Sequence, residues 1–256
     1  MNMVEYFVDH PEVKHGDIAI AFTPDEEVGR GTENFDVEYF DCDYAYTVDG
    51  SDADCIDFEN FNAASALVTV NGASIHPGSA KNKMKNSILI AMEFQSLLPT
   101  FDNPAFTEGY EGFNHLLGIE GDCEKTTLNY ILRNHDEKLL AKQKSDFENA
   151  AFFLNKKYGE NTIVLEIKDT YANMRKYIEE RIDIIDRAKE KMLKLGMTPR
   201  SSAIRGGTDG AMLTYKGLLC PNLGTGGRNF HGKYEYASVR EMRQAADLVI
   251  EIAKVD

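Results

Sequence analysis

The order in which short apolar runs follow one another between residues 64 and 167 limits this chain to few folds. Residues 64–70 read as a strand and 85–97 as a helix; 115–120 and 126–133 return to strand-like runs, 137–158 are helical again, and 162–167 form a closing strand. The succession β-α-β-β-α-β is that of a ferredoxin-like α+β arrangement. On either side the pattern differs. Residues 17–22, 44–48 and 218–223 are short apolar runs, each entering a polar or glycine-rich turn. Runs that are apolar on both faces suit a parallel, helix-covered sheet. Helical stretches at 4–10, 173–195 and 239–255 flank them, the second closed by Gly196 and then Pro199. The pattern predicts an α/β domain with a mostly parallel sheet, built from residues 1–59 and 171–256 and interrupted by an inserted ferredoxin-like α+β domain at 60–170.

Hydrophobic residues make up 43% of the 256 positions, enough for a buried core. The formal charge of −14 argues against a nucleic-acid partner, because a phosphate backbone requires clustered Lys and Arg. No apolar run reaches the roughly 20 residues of a membrane span. The first ten residues carry Glu5 and Asp9 and lack the basic stretch of a secretion signal. A cytoplasmic protein with no membrane partner is therefore expected. Cys42, Cys55, Cys123 and Cys220 are scattered, form no C-x-x-C pair and are expected as free thiols.

In a parallel sheet the loops after the strands gather along one edge, where ligands bind. The turn after the first predicted strand holds Asp25, Glu26 and Glu27, the second leads to Asp49, and the third leads to His231. Carboxylates and an imidazole on one rim suit zinc or another first-row divalent ion. One of the adjacent Glu26 and Glu27 can bind metal while the other serves as general base. Taken singly, each has a plain alternative: an acidic loop is a solvated turn, Asp-Gly a turn, and a single His a surface residue. Arg205-Gly206-Gly207-Thr208 precedes an apolar helical stretch and suits a carboxylate, through backbone N–H groups and a guanidinium fork; an ordinary glycine-rich loop reads the same way. His76, before Pro77, can polarise a carbonyl or be an ordinary loop histidine, and Arg133 ends a strand-like run.

Five segments in order carry a resemblance: T-P-D-E-E-V-G-R-G from Thr23, V-D-G-S from Val48, A-S-I-H-P-G-S-A-K-N-K-M-K-N-S from Ala73, I-R-G-G-T-D-G-A-M-L-T-Y-K-G from Ile204 and G-T-G-G-R-N-F-H-G-K-Y-E from Gly224. Together they resemble the peptidase T family, tripeptide aminopeptidases among the dinuclear-zinc exopeptidases. The resemblance implies a catalytic α/β domain with a smaller α+β lid, and two zinc ions in the complete enzyme. It implies Glu26 as general base, Glu27 as ligand of one zinc, Asp49 as ligand of the other, and His231 as the ligand from the C-terminal loop. Arg205, Gly206, Gly207 and Thr208 match the segment lining the substrate pocket, and His76 and Arg133 match lid residues that close over a short peptide substrate. In relatives the lid often mediates a homodimer.

Family members are longer at the N-terminus, and that stretch carries an H-x-D motif and a D-D-K motif supplying a further histidine, the Asp that orients it and the Asp that bridges the metals. His15-Gly16-Asp17 matches the family's K-H-G-D loop and not the metal motif. The chain is therefore expected to be an N-terminally truncated form that retains part of the metal site. A non-catalytic fragment or peptide-binding module is the alternative reading, and a related aminoacylase or dipeptidase a further one.

Overall fold

The computed structural model describes residues 1–255, which divide into two compact units: residues 1–60 with 173–255, and residues 61–172. The first unit opens with α1 (Asn2–Asp9) and, after a long stretch whose one helical piece is a 3₁₀ turn at Glu26–Val28, the single turn α2 (Val37–Phe40). Three short strands follow, β1 (Thr47–Gly50), β2 (Ile56–Asp57) and β3 (Glu59–Asn60).

The second unit then runs β4 (Asn62–Asn71), α3 (Ser87–Leu97), β5 (Phe113–Gly121), β6 (Lys125–Asn134), α4 (Glu137–Tyr158) and β7 (Ile163–Tyr171). Its antiparallel sheet has the order β5-β6-β4-β7, with Ala64 opposite Leu132 and Val68 opposite both Leu128 and Leu165. This is the ferredoxin-like topology that the sequence order predicts. Along β4 the buried residues alternate, so Ala64, Ala66, Val68 and Val70 share one face and join Phe94 of α3 and Phe147 of α4 in one core. Small residues on the central strand leave room for the two phenyl rings, which meet edge to face at 5.8 Å. Both helices are capped where the sequence changes period: the Asn86 side chain accepts from the N–H of Ile88 and Leu89, and that of Asp136 from Lys138 and Leu139.

The first unit resumes with α5 (Arg175–Ile178), a 3₁₀ turn (Glu179–Arg181) and α6 (Asp183–Lys194). Next come β8 (Ala203–Ile204), α7 (Asp209–Tyr215), β9 (Asn222–Gly224), β10 (Gly227–Arg228), β11 (Tyr236–Ala237) and α8 (Val239–Ala253). β9 pairs parallel with β1 and antiparallel with β2, and β3 pairs parallel with β8. Ile56 and Leu223 of this sheet pack with Ile184, Ile185, Ala188 and Met192 of α6 and with Leu248 and Ile252 of α8. Arg187 of α6 donates to the carbonyls of Ile252 and Lys254, which lie past the last helical hydrogen bonds of α8.

Two expectations are corrected. Residues 17–22 are no strand: they pair with nothing among the described residues, and Ile18, Ile20 and Phe22 are 38%, 45% and 78% exposed. Apolar alternation supplies a strand's face but not its hydrogen-bonding neighbour, and without one no ladder forms. The helix expected over 173–195 is broken at the 3₁₀ turn. Tightening there leaves Ile182 at 42% exposure and brings Ile184 and Ile185 to the core together.

Phe147, fully buried between α4 and the sheet, gives a direct check of this core. Phe147→Ala is expected to destabilise the second unit by about 3–5 kcal/mol, measured by urea unfolding followed through signals from residues 61–172.

Candidate active site

Residues 23–31 form the loop that carries Glu26 and Glu27. Asp25 lies in the left-handed region at φ 60° and Gly29 at φ 72°, and between them Glu26–Val28 form one 3₁₀ turn, closed by Gly29 N–H to Glu26 C=O at 2.7 Å. Asp tolerates that backbone better than most residues, which explains an acid at position 25 without assigning it chemistry. The two glutamates diverge because successive residues of a 3₁₀ turn point about 120° apart.

Asp49 sits on β1, one residue from its end, at a register shift: its neighbours Val48 and Gly50 pair with Leu223 and Gly224 of β9, and Asp49 itself is passed over. His231 lies between β10 and β11, in a turn where Asn229 and His231 both have positive φ, 57° and 58°. Its N–H donates to the Glu235 carboxylate at 3.2 Å, and its Nε2 stands 3.1 Å from Glu27 Oε2. Both partners of that pair are more than three quarters exposed, so it contributes little to stability. Partial burial holds the Glu26 carboxyl above the usual range, followed by the charges of Asp49, Asp209 and Glu27, while His231 acts in the opposite sense. The Asp49 carboxyl is raised too, by burial first and then by Glu27 and Asp209.

Asp209 belongs to this group, and sequence reasoning passed it over. It opens α7 and is only 6% exposed. Thr23 Oγ1 donates to its Oδ2 at 2.7 Å. The legible signal was a carboxylate beside Gly210 and Ala211 at the start of an apolar stretch, inside a segment whose glycines and Arg205 drew the reading toward an anion site. Thr208 is the N-cap of α7, its Oγ1 accepting from Ala211 N–H at 3.0 Å and donating to Asn222 Oδ1 at 3.5 Å. Gly210 packs so closely on Asn222 and the Cys220 carbonyl that no Cβ can enter, whereas a Cβ on Gly206 would meet nothing.

His76 and Arg133 belong to the second unit. His76 is exposed and its Nδ1 accepts from Gly78 N–H at 3.2 Å. Arg133 donates to the carbonyls of Ala64 and Leu132 and lies over the Tyr171 ring at 5.2 Å, a structural anchorage on β6.

Among the described residues one trio brings metal-capable atoms within 4.8 Å of one another, and it is Asp52, Asp54 and Cys55, outside the expected set. Arg200 already occupies it, with Nη2 at 2.5 Å from Asp52 and 2.6 Å from Asp54. Burial, then the charge of Asp57, pushes the Cys55 thiol up to about 11. The same acids line a cleft of about 330 Å³ with Arg228, Arg240 and Glu241, away from Glu26 and His231.

Residues 58–159 match the peptidase dimerisation domain family. Along nearly the whole chain the sequence is similar to peptidase T of Caldanaerobacter subterraneus subsp. tengcongensis, 50% identical over 252 residues, and of Bacillus subtilis, 50% identical over 254 residues. The chain is a relative of peptidase T. The alignments cover 98% and 99% of the chain and 62% of each of those proteins, so it spans about three fifths of the length of the peptidase T sequences it matches. Two solved structures share the fold: aminopeptidase PepT from Bacillus cereus, with a TM-score of 0.83 at 21% identity over 98% of this chain and 67% of that one, and a tripeptidase from Staphylococcus aureus, with a TM-score of 0.85 at 19% identity and the same coverage. Over the two thirds of those structures that it covers, this chain shares their fold, as the α/β domain interrupted by an α+β domain anticipated.

With a thiol near 11, Cys55 holds about one thiolate in a thousand at pH 8. Iodoacetamide is expected to alkylate it at least about a hundredfold more slowly than free cysteine, speeding up about tenfold per pH unit below the pKa. Peptide mapping of the labelled chain checks this; zinc-dependent protection of Cys55 would identify a working thiolate site instead.

Proposed function

We propose that this chain is the part of a zinc-dependent aminopeptidase that carries the general base, part of the metal site and the lid, and that the complete enzyme releases the N-terminal residue of tripeptides. The observation that carries this reading is the meeting of Glu27 Oε2 and His231 Nε2 at 3.1 Å beside the crowded carboxylates of Glu26, Asp49 and Asp209. Like charges held together by packing, with Glu26 and Asp49 raised above their usual range, favour a cation. The donor set of carboxylate oxygens and one imidazole nitrogen suits zinc. Glu27 and His231 would hold one ion and Asp49 the other, while bound zinc supplies Lewis acidity toward the scissile carbonyl.

Glu26 is the residue left to move protons. It stands half-buried beside the proposed ligands, where a carboxylate can accept a proton from the attacking water and return it to the leaving amine. Gly206, where a side chain would meet nothing, leaves the backbone beside Arg205 open to a peptide carboxylate. His76 and Arg133 are assigned to the same substrate from the lid. Similarity to the dimerisation domain supports a homodimer through residues 60–170. A cytoplasmic site of action is part of the same proposal; no helix among the described residues is long and apolar enough to cross a membrane.

Calorimetric zinc titration of the chain tests the ligand assignment. Glu27→Ala and His231→Ala are each expected to weaken binding by about tenfold or more, and Glu26→Gln to leave it within about twofold. In a chimera joining the chain to the preceding part of the Bacillus subtilis peptidase T, Glu26→Gln is expected to lower tripeptide turnover by about 10²–10⁴-fold. Unchanged turnover, or loss of zinc in Glu26→Gln with retention in Glu27→Ala, refutes the assignment of the pair.

A further inference from the structure

We infer that Asp209 is the positioning residue of the loop bearing Glu26 and Glu27, holding that loop at both ends from the first turn of α7. Its carboxylate accepts from Thr23 Oγ1 at 2.7 Å, immediately before Pro24, and so grips the chain where the loop begins. It also lies against Gly31, where the loop ends: a Cβ built on Gly31 would stand 2.6 Å from Asp209 Cγ and overlap both oxygens. Between these points residues 24–30 are exposed except for Glu26, which is half-buried, whereas Gly31 and Thr32 are buried. The hydrogen bonds within the loop, Gly29 N–H to Glu26 C=O and Arg30 N–H to Asp25 C=O, set its shape, but with no apolar anchor its place on the fold depends chiefly on its ends.

Asp209 is itself immovable, as a clamp requires. Thr208 caps α7, and Gly210 is pressed against Asn222 and the Cys220 carbonyl, so the helix start is locked to β9. At the far end of α7 the Lys216 ammonium donates to the carbonyls of Thr32 and Glu33, the latter at 3.3 Å, extending the grip past Gly31. One helix thus determines where the two glutamates stand relative to β1 and Asp49. The pairing of residues 31 and 209 is a steric dependence: an acid at 209 in this position requires glycine at 31. The consequence for catalysis rests on the function proposed above; the clamp itself does not.

Limited trypsin digestion of the folded chain reads the loop directly, because Arg30 precedes Gly31. Cleavage after Arg30, followed by mass spectrometry, is expected to rise at least about tenfold in Asp209→Ala, with cleavage at Lys157 and Lys233 unchanged. Asp209→Asn keeps an acceptor for Thr23 and is expected to stay within about twofold of the parent chain. Gly31→Ala is expected to open the loop in the parent background and to add nothing in Asp209→Ala, where the overlap is gone. Should Asp209→Ala fail to fold, Thr23→Val, which removes the donor alone, carries the same expectation at Arg30. Unchanged cleavage at Arg30, a rise spread over all sites, or additive effects of Gly31→Ala and Asp209→Ala overturns the clamp. A chain that shows the clamp, joined in a chimera that neither binds zinc nor hydrolyses a tripeptide, leaves the clamp standing and removes the metallopeptidase reading.

Discussion

The parallel pairing of β1 with β9 is the contact on which the rest of the first unit depends. It joins Thr47 to Asn222 and Val48 to Leu223 across the whole inserted unit in sequence. Asn222 is 1% exposed, and it takes hydrogen bonds from the hydroxyls of Thr47 and Thr208, so one buried amide binds β1, β9 and the start of α7 together. A buried polar side chain with its partners in place fixes register as well as proximity. Asp49 on β1, Asp209 on α7 and the hairpin bearing His231 all take their positions from that junction.

How much of this could be read in the sequence depends on how local the cause is. The second unit follows the pattern almost residue for residue, because the apolar alternation of β4 and the caps at Asn86 and Asp136 are set by neighbours in the chain. Residues 17–22 show the opposite case. Their alternation is as regular as that of β4, yet a strand requires a partner, and that is a property of the whole fold. Glu26, Glu27, Asp49 and His231 stand out in the sequence because each follows a short apolar run, although Asp49 lies on β1 and the run before Glu26 forms no strand. Asp209 could not, since its meaning arises from Thr23 and Gly31, some 180 residues earlier in the chain.

The carboxylates around Glu26 illustrate a general tension in sites that receive cations. Packing must hold like charges closer than they would stand in water, which costs stability and raises their affinity for protons. The structure meets that cost with ordinary means outside the cluster: the cap of α7, the close approach of Gly210 and the apolar packing of α6 and α8. Elsewhere acids meet guanidinium groups directly, as Asp52 and Asp54 meet Arg200. The contrast between compensated and uncompensated acids separates structural carboxylates from candidates for chemistry.

The division of the first unit into residues 1–60 and 173–255 has a consequence for biogenesis. Residues 61–172 complete their own core from one continuous stretch and can fold as soon as it leaves the ribosome. The first sixty residues cannot, because β1 and β2 pair with β9, which is made more than 160 residues after β2 ends. At bacterial and eukaryotic elongation rates they wait roughly ten to thirty seconds for that strand. Throughout that interval the apolar residues of the unfinished unit stand open to chaperones and proteases, so the speed of translation through 173–224 bears on how much of the chain reaches its native state.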